Sequence, residues 1–168
     1  MIYPGTHTEG ATFSPNKLSL YVQYASTAQN LPTRAQLRRW VKAALRRDAS
    51  MTLRIVDEEE GRELNRKYRG KDYATNVLTF VYDDTDTLSG DVVICAPVVE
   101  REAAAQRKSL LAHYAHLTLH AVLHLQGFEH ENAAAAAVME ALETGLMLKL
   151  RYPDPYQTTR IANERPRK

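Results

Sequence analysis

The sequence predicts an α+β domain, with about four strands in a mixed sheet and about five helices packed on it. Three observations support this. Strand-type alternation and helix-type spacing follow each other twice between residues 17 and 68. Two further β-rich runs are joined by a polar turn suited to an antiparallel connection, and from Pro97 onward the chain reads as helix. At 168 residues, 44% hydrophobic and 25% charged, the chain can bury one apolar core and gives no sign of a second domain.

Residues 1–16, MIYPGTHTEGATFSPN, are rich in Pro, Gly and Thr without an apolar period, and are expected to form a flexible extension. KLSLYVQYAS alternates apolar and polar positions as a half-buried strand does. In LPTRAQLRRWVKAALRR, Leu37, Trp40, Val41, Ala44 and Leu45 then recur at helical spacing. SMTLRIVD repeats the strand pattern. Asp57, with Glu60 three residues on, is the expected N-cap of a helix running to about Tyr68. NVLTFVY and GDVVICA are the next two strands, separated by DDTDTLSG. After Pro97 comes an Ala-rich helix with a break near Arg107 and Lys108, and SLLAHYAHLTLHAVLHLQ then runs as a central helix up to a stop at Gly127. ENAAAAAVMEALETGLMLKL is a strong helix former. The expected domain spans residues 17–156, and residues 157–168 form a basic tail without periodicity.

Composition narrows the function classes. A net charge of +2 is too small for the field of the whole molecule to argue nucleic-acid binding, so local basic groups must carry that case. The lone Cys95 excludes an internal disulfide and a cysteine-based zinc site, and is expected to be a small buried strand residue. No stretch approaches the ~18 apolar residues of a membrane span, and no signal peptide is recognisable, so the expected compartment is the cytoplasm.

The stretch HAVLHLQGFEH, His120 to His130, carries three histidines and a glycine at the spacing of the long zinc-protease motif H-E-x-x-H-x-x-G-x-x-H. Residues four apart share one helix face, so His120 and His124 present two imidazoles to one point. Gly127 can adopt the left-handed conformation that ends a helix and lets the chain return His130 as a third ligand. Three protein ligands with an open fourth position is the pattern of catalytic zinc, at one ion per chain. His113 and His116 share the stripe and are expected to pack or to support the ligands rather than to bind metal. His7 is unremarkable. Ala121 stands where a zinc protease has the Glu that moves protons to the leaving amine, which turns the expectation away from peptides and towards phosphodiesters.

YRGKDYATNVLTF, Tyr68 to Phe80, places Arg69 and Lys71 in a turn between helix and strand. Arg69 has a fork that matches phosphate oxygens, although the same stretch also reads as an ordinary solvated turn. Asn76 either contacts substrate or caps the strand that it opens.

Together the two stretches resemble the bacterial YbeY family of zinc-dependent endoribonucleases and rRNA maturation factors. The family pattern is approximately Y-R-G-K-D-x-P-T-N-V-L-S-F followed by H-G-x-L-H-L-x-G-Y-D-H. GDVVICAPVVEREA, AHYAH and YPDPY extend the likeness over about residues 18–156. The resemblance implies a metallopeptidase-like metal helix, zinc on His120, His124 and His130, and a catalytic Arg69. It also implies cleavage of single-stranded RNA at the 3′ end of small-subunit rRNA and a part in ribosome quality control. Ribosomal proteins and a ribosome-assembly GTPase are the implied partners, with no role at DNA or membranes. Lys71 and Asn76 are the expected substrate contacts, and His116 and Glu129 the expected supports of the ligands. The chain departs from the family pattern at Ala74 for Pro, Ala121 for Gly, Phe128 for Tyr and Glu129 for Asp. Two other readings share the ligands: a metalloprotease of the same fold, and a ribosome-assembly binding module whose zinc only fixes the helix end.

Overall fold

In the computed structural model, which describes residues 16–157, the elements run β1 (Leu18–Ala25), α1 (Arg34–Ala44), β2 (Ala49–Val56), α2 (Glu58–Arg69), β3 (Val77–Asp83), β4 (Leu88–Cys95), α3 (Ala96–Ala105), α4 (Leu110–Leu125) and α5 (Ala133–Lys149). Apart from Asn16 and Gln157, the expected N-terminal extension and basic tail lie outside the described residues, as does His7.

The four strands form one sheet in the order β1-β2-β4-β3. β1 and β4 pair with β2 in parallel, and β3 runs antiparallel along β4 as an edge strand. The β3–β4 connection is tighter than the eight-residue turn expected from the sequence, because β3 extends to Asp83 and β4 begins at Leu88. Register slips at a bulge between Val81 and Asp83. Beside it, Gly90 has no room for a side chain: a Cβ there would stand 2.5 Å from the Phe80 carbonyl oxygen and 3.3 Å from Leu125 of α4. Glycine thus lets the edge strand and the end of α4 close on each other.

α1 opens with a complete capping box, Thr33 accepting from the Gln36 amide while the Gln36 side chain accepts from the Thr33 amide. α2 departs from expectation. Asp57 is its N-cap residue, but the carboxylate makes no cap bond. It accepts instead from the hydroxyls of Ser26 and Thr27 and the Thr27 amide, fastening the end of β1 to the start of α2. Glu60, its expected capping-box partner, is drawn to Arg54 at 2.7 Å.

Leu37, Trp40 and Val41 of α1, Leu53 and Ile55 of β2, Val92 and Ile94 of β4, and most of α4 form the main core on one side of the sheet. Val56, Leu78, Val93 and Cys95 form a smaller cluster packed by Leu64 of α2. α4 is apolar nearly all round and accordingly buried between neighbours. Its C-terminal end emerges beside β3, which is where the polar residues gather.

Candidate functional site

α4 ends in a Schellman motif: the Gly127 amide donates to the His124 carbonyl at 3.0 Å and the Phe128 amide to the Leu123 carbonyl at 3.2 Å. Gly127 adopts φ 94°, a left-handed value that few L side chains accept. The reversal swings residues 128–130 back over the last turn. The His120, His124 and His130 rings then form a triangle with centroid separations of 6.5 Å (120 to 124), 5.5 Å (120 to 130) and 6.1 Å (124 to 130).

The trio is close to what one ion requires but is not closed around a point. Zn–N bonds of ~2 Å at tetrahedral angles place imidazole centroids roughly 5 Å apart. As placed, no three His, Cys, Asp or Glu side chains among the described residues make a ligating set. Closure needs only small ring movements, and His130 is exposed and free to make them. The donor chemistry is the stronger test of fit. Glu143 and the Phe128 carbonyl can only accept, so His120 donates through Nδ1 to Glu143 at 2.5 Å and His124 through Nδ1 to Phe128 at 3.1 Å. Both rings therefore keep an Nε2 lone pair available, as metal-binding histidines with oriented outer nitrogens do. The three residues fit zinc.

Glu143 is fully buried. Burial pulls its pKa upward, but hydrogen bonds from His116, His120 and the Tyr156 hydroxyl outweigh that and hold it below the ordinary carboxylate range. The Tyr156 phenol is pushed the other way, by burial first and then by Glu143.

Two clefts of about 500 Å³ flank the histidines. The first is lined by Arg47, Arg69, Phe80, Tyr82, His124 and Glu129, among others. Arg69, the last residue of α2, donates from Nη2 to the Thr79 carbonyl at 2.7 Å and lies over the Phe80 ring at 5.4 Å. Its remaining guanidinium nitrogens have no protein partner among the described residues. Arg47 is tied to the carbonyls of Asp84 and Thr85. The second cleft contains Asn76, Glu102, Lys108, His116, His120 and Tyr156.

The other residues singled out in the sequence are distributed unevenly. Lys71 is exposed in the loop after α2 and lines neither cleft. Asn76 accepts from the Val77 amide at 2.7 Å and donates to the Glu102 carboxylate at 3.1 and 3.2 Å. His116 donates to Glu143 at 2.8 Å. Glu129 is exposed in the first cleft and bonds no ligand histidine. Ala121 is wholly buried in the main core, so that position presents nothing to the cleft. Sequence reasoning missed Glu143, Tyr156 and Arg47. For Glu143 a signal existed, since the acid lies midway between the buried Met139 and Met147 on the inward stripe of α5.

Among the described residues no helix is long and apolar enough to cross a membrane. A family profile described as Endoribonuclease YbeY matches residues 21–151. Relatives named Endoribonuclease YbeY include one from Aromatoleum aromaticum, 60% identical over 84% of this chain and 94% of its own length. Another, from Methylobacillus flagellatus, is 56% identical over 84% of this chain and 95% of its own length. One from Nitrosospira multiformis is 54% identical over 95% and 93%. The fold is similar to a Thermotoga maritima protein solved in solution, with a TM-score of 0.51 and 24% identity over 79% of this chain and 91% of that one.

Proposed function

This chain belongs to the YbeY endoribonuclease family, and on that premise we propose that it is a zinc-dependent hydrolase of single-stranded RNA, acting in the cytoplasm on the 3′ end of small-subunit rRNA. Its ligands in this reading are His120, His124 and His130, with one zinc per chain. Arg69 is its catalytic cation.

The observation that carries the reading is that His124 and Arg69 line one cleft. When bound, zinc supplies Lewis-acid polarisation of water and phosphate. The chain's own residues do the rest. Arg69 meets the phosphate with the guanidinium edge that Thr79 leaves unused, and opposes the charge that builds on its oxygens during the reaction. Its hold on Thr79 and its place over Phe80 fix the fork before substrate arrives. Tyr82, exposed on the wall of the same cleft, offers a face on which an unpaired base can stack, as a duplex base cannot. Work alongside ribosomal proteins and a ribosome-assembly GTPase is part of the same reading.

The shared cleft also weighs against the two other readings. A zinc that only fixed the helix end would not need an arginine in its cleft. A protease needs an acid after the first histidine, and here that position is a core methyl.

The test is metal content and RNA cleavage in protein purified without a histidine tag. One zinc per chain and chelator-sensitive cleavage are expected, with His124→Ala losing far more metal affinity than His116→Ala. Equal losses from both would mean that the ligand set is wrong.

A further inference from the structure

We propose that Glu143, clamped by Tyr156, is the positioning residue for His120: it takes the Nδ1 proton and thereby holds Nε2 towards the position that the three histidines share. This rests on the reading of those histidines as zinc ligands.

Glu143 is a carboxylate with no exposed surface, a costly placement unless its oxygens are filled. Three donors fill them. His120 Nδ1 lies 2.5 Å from Oε1, while His116 Nε2 lies 2.8 Å from Oε2, which the Tyr156 hydroxyl also contacts closely. An ionised carboxylate has no proton to give, so every partner must donate. That requirement selects the Nδ1–H form of His120. The two helical ligands thus reach one state by different routes. His124 is oriented by the Phe128 carbonyl, supplied by the turn that ends its own helix. His120 lies one turn further in, where the helix offers no such carbonyl, and the acceptor arrives from α5 instead.

Tyr156 extends the arrangement to the C-terminal segment. It lies beyond residue 151, where the family match ends. That segment is fastened independently of Glu143, by Lys108 to the Pro155 carbonyl at 2.6 Å and by the Tyr156 amide to Asp154 at 2.8 Å. The hydroxyl is therefore presented by a fixed backbone to the carboxylate, and it also lies 3.2 Å from His116 Nε2 beside it.

The experiment uses the full chain and two readouts besides activity: zinc affinity by chelator competition, and the His120 tautomer from imidazole ¹⁵N chemical shifts of the metal-free protein. Glu143→Gln keeps the shape but leaves one acceptor oxygen for three donors and turns the other into an amide N–H₂. It is expected to lower zinc affinity ~10–100-fold and to reduce the Nδ1–H share of His120, with the far-ultraviolet circular dichroism unchanged. Tyr156→Phe is expected to shift both readouts in the same direction, by a few-fold in affinity. Wild-type affinity with an unchanged His120 signature in Glu143→Gln would overturn the proposal. If Glu143→Gln does not fold, the same two readouts on Tyr156→Phe decide, and no change in either overturns it. Wild-type protein that takes up no zinc would overturn the ligand reading instead, and the imidazole spectra alone would then judge the Glu143–His120 contact.

Discussion

Arg69 grips the Thr79 carbonyl at 2.7 Å, and this single bond brings the end of α2 to the wall of the cleft that His124 also lines. The guanidinium touches substrate, not metal, in the proposed mechanism. Arg69→Ala should therefore keep full zinc content while lowering cleavage of single-stranded RNA by a factor on the order of a hundred or more. Arg69→Lys should recover only part of the rate, since a point charge lacks the fork. Cleavage by Arg69→Ala at the wild-type rate would remove arginine from the mechanism.

Gly127 tests the local geometry that returns His130. At φ 94° an added methyl strains the backbone, so Gly127→Ala should cost about 1–2 kcal/mol of stability. Zinc affinity should fall with it, because the strained turn also carries the third ligand. Urea unfolding gives the first quantity and chelator competition the second. A midpoint and an affinity both equal to wild type would show that the turn is not what seats His130.

These two residues mark how far the sequence could be read. The His120, His124 and Gly127 geometry was legible because helix periodicity and a helix stop are local. All four strands and five helices were legible for the same reason. Strand order was not, since pairing β2 with β4 and leaving β3 at the edge depends on contacts between distant residues. Asp57 shows the limit within one residue: its position as N-cap is local, but the partners of its carboxylate are Ser26 and Thr27, on another segment. Glu143 is a second such case, because helix propensity is local while the partners of its carboxylate come from α4 and the C-terminal segment.

His113 supplies a pH dependence away from the ligands. It is 4% exposed beside Glu102. Burial lowers its pKa below the ordinary 6.5, with smaller contributions in the same direction from His116 and Lys108 and against the pull of Glu102 towards the charged form. The folded state thus binds this proton less readily than the unfolded chain. The stability it contributes is complete above the unfolded value and drains away as pH falls through 6.5 towards the folded one. Between about pH 7.5 and pH 5.5, His113→Gln should lose stability less steeply than wild type, by up to ~1.4 kcal/mol per pH unit. Parallel stability profiles would show that the His113 proton is not linked to folding.

Asn76 makes bonds to the Val77 amide and to Glu102, so its first role in the fold is structural. Asn76→Ala should destabilise the protein by about 0.5–1.5 kcal/mol through the loss of its hydrogen bonds to Val77 and Glu102. RNA cleavage measured well below the new melting temperature should fall less than in Arg69→Ala. An unchanged melting curve with cleavage abolished would reverse this assignment and make Asn76 a substrate contact.

Zinc titration into metal-free protein, with single-stranded RNA cleavage measured at each step, tests the central claim most directly. Cleavage should be absent without metal, rise in proportion to bound zinc, and level off at one ion per chain, with His124→Ala failing to follow. Full cleavage by metal-free protein, or none at full zinc occupancy, would contradict the account.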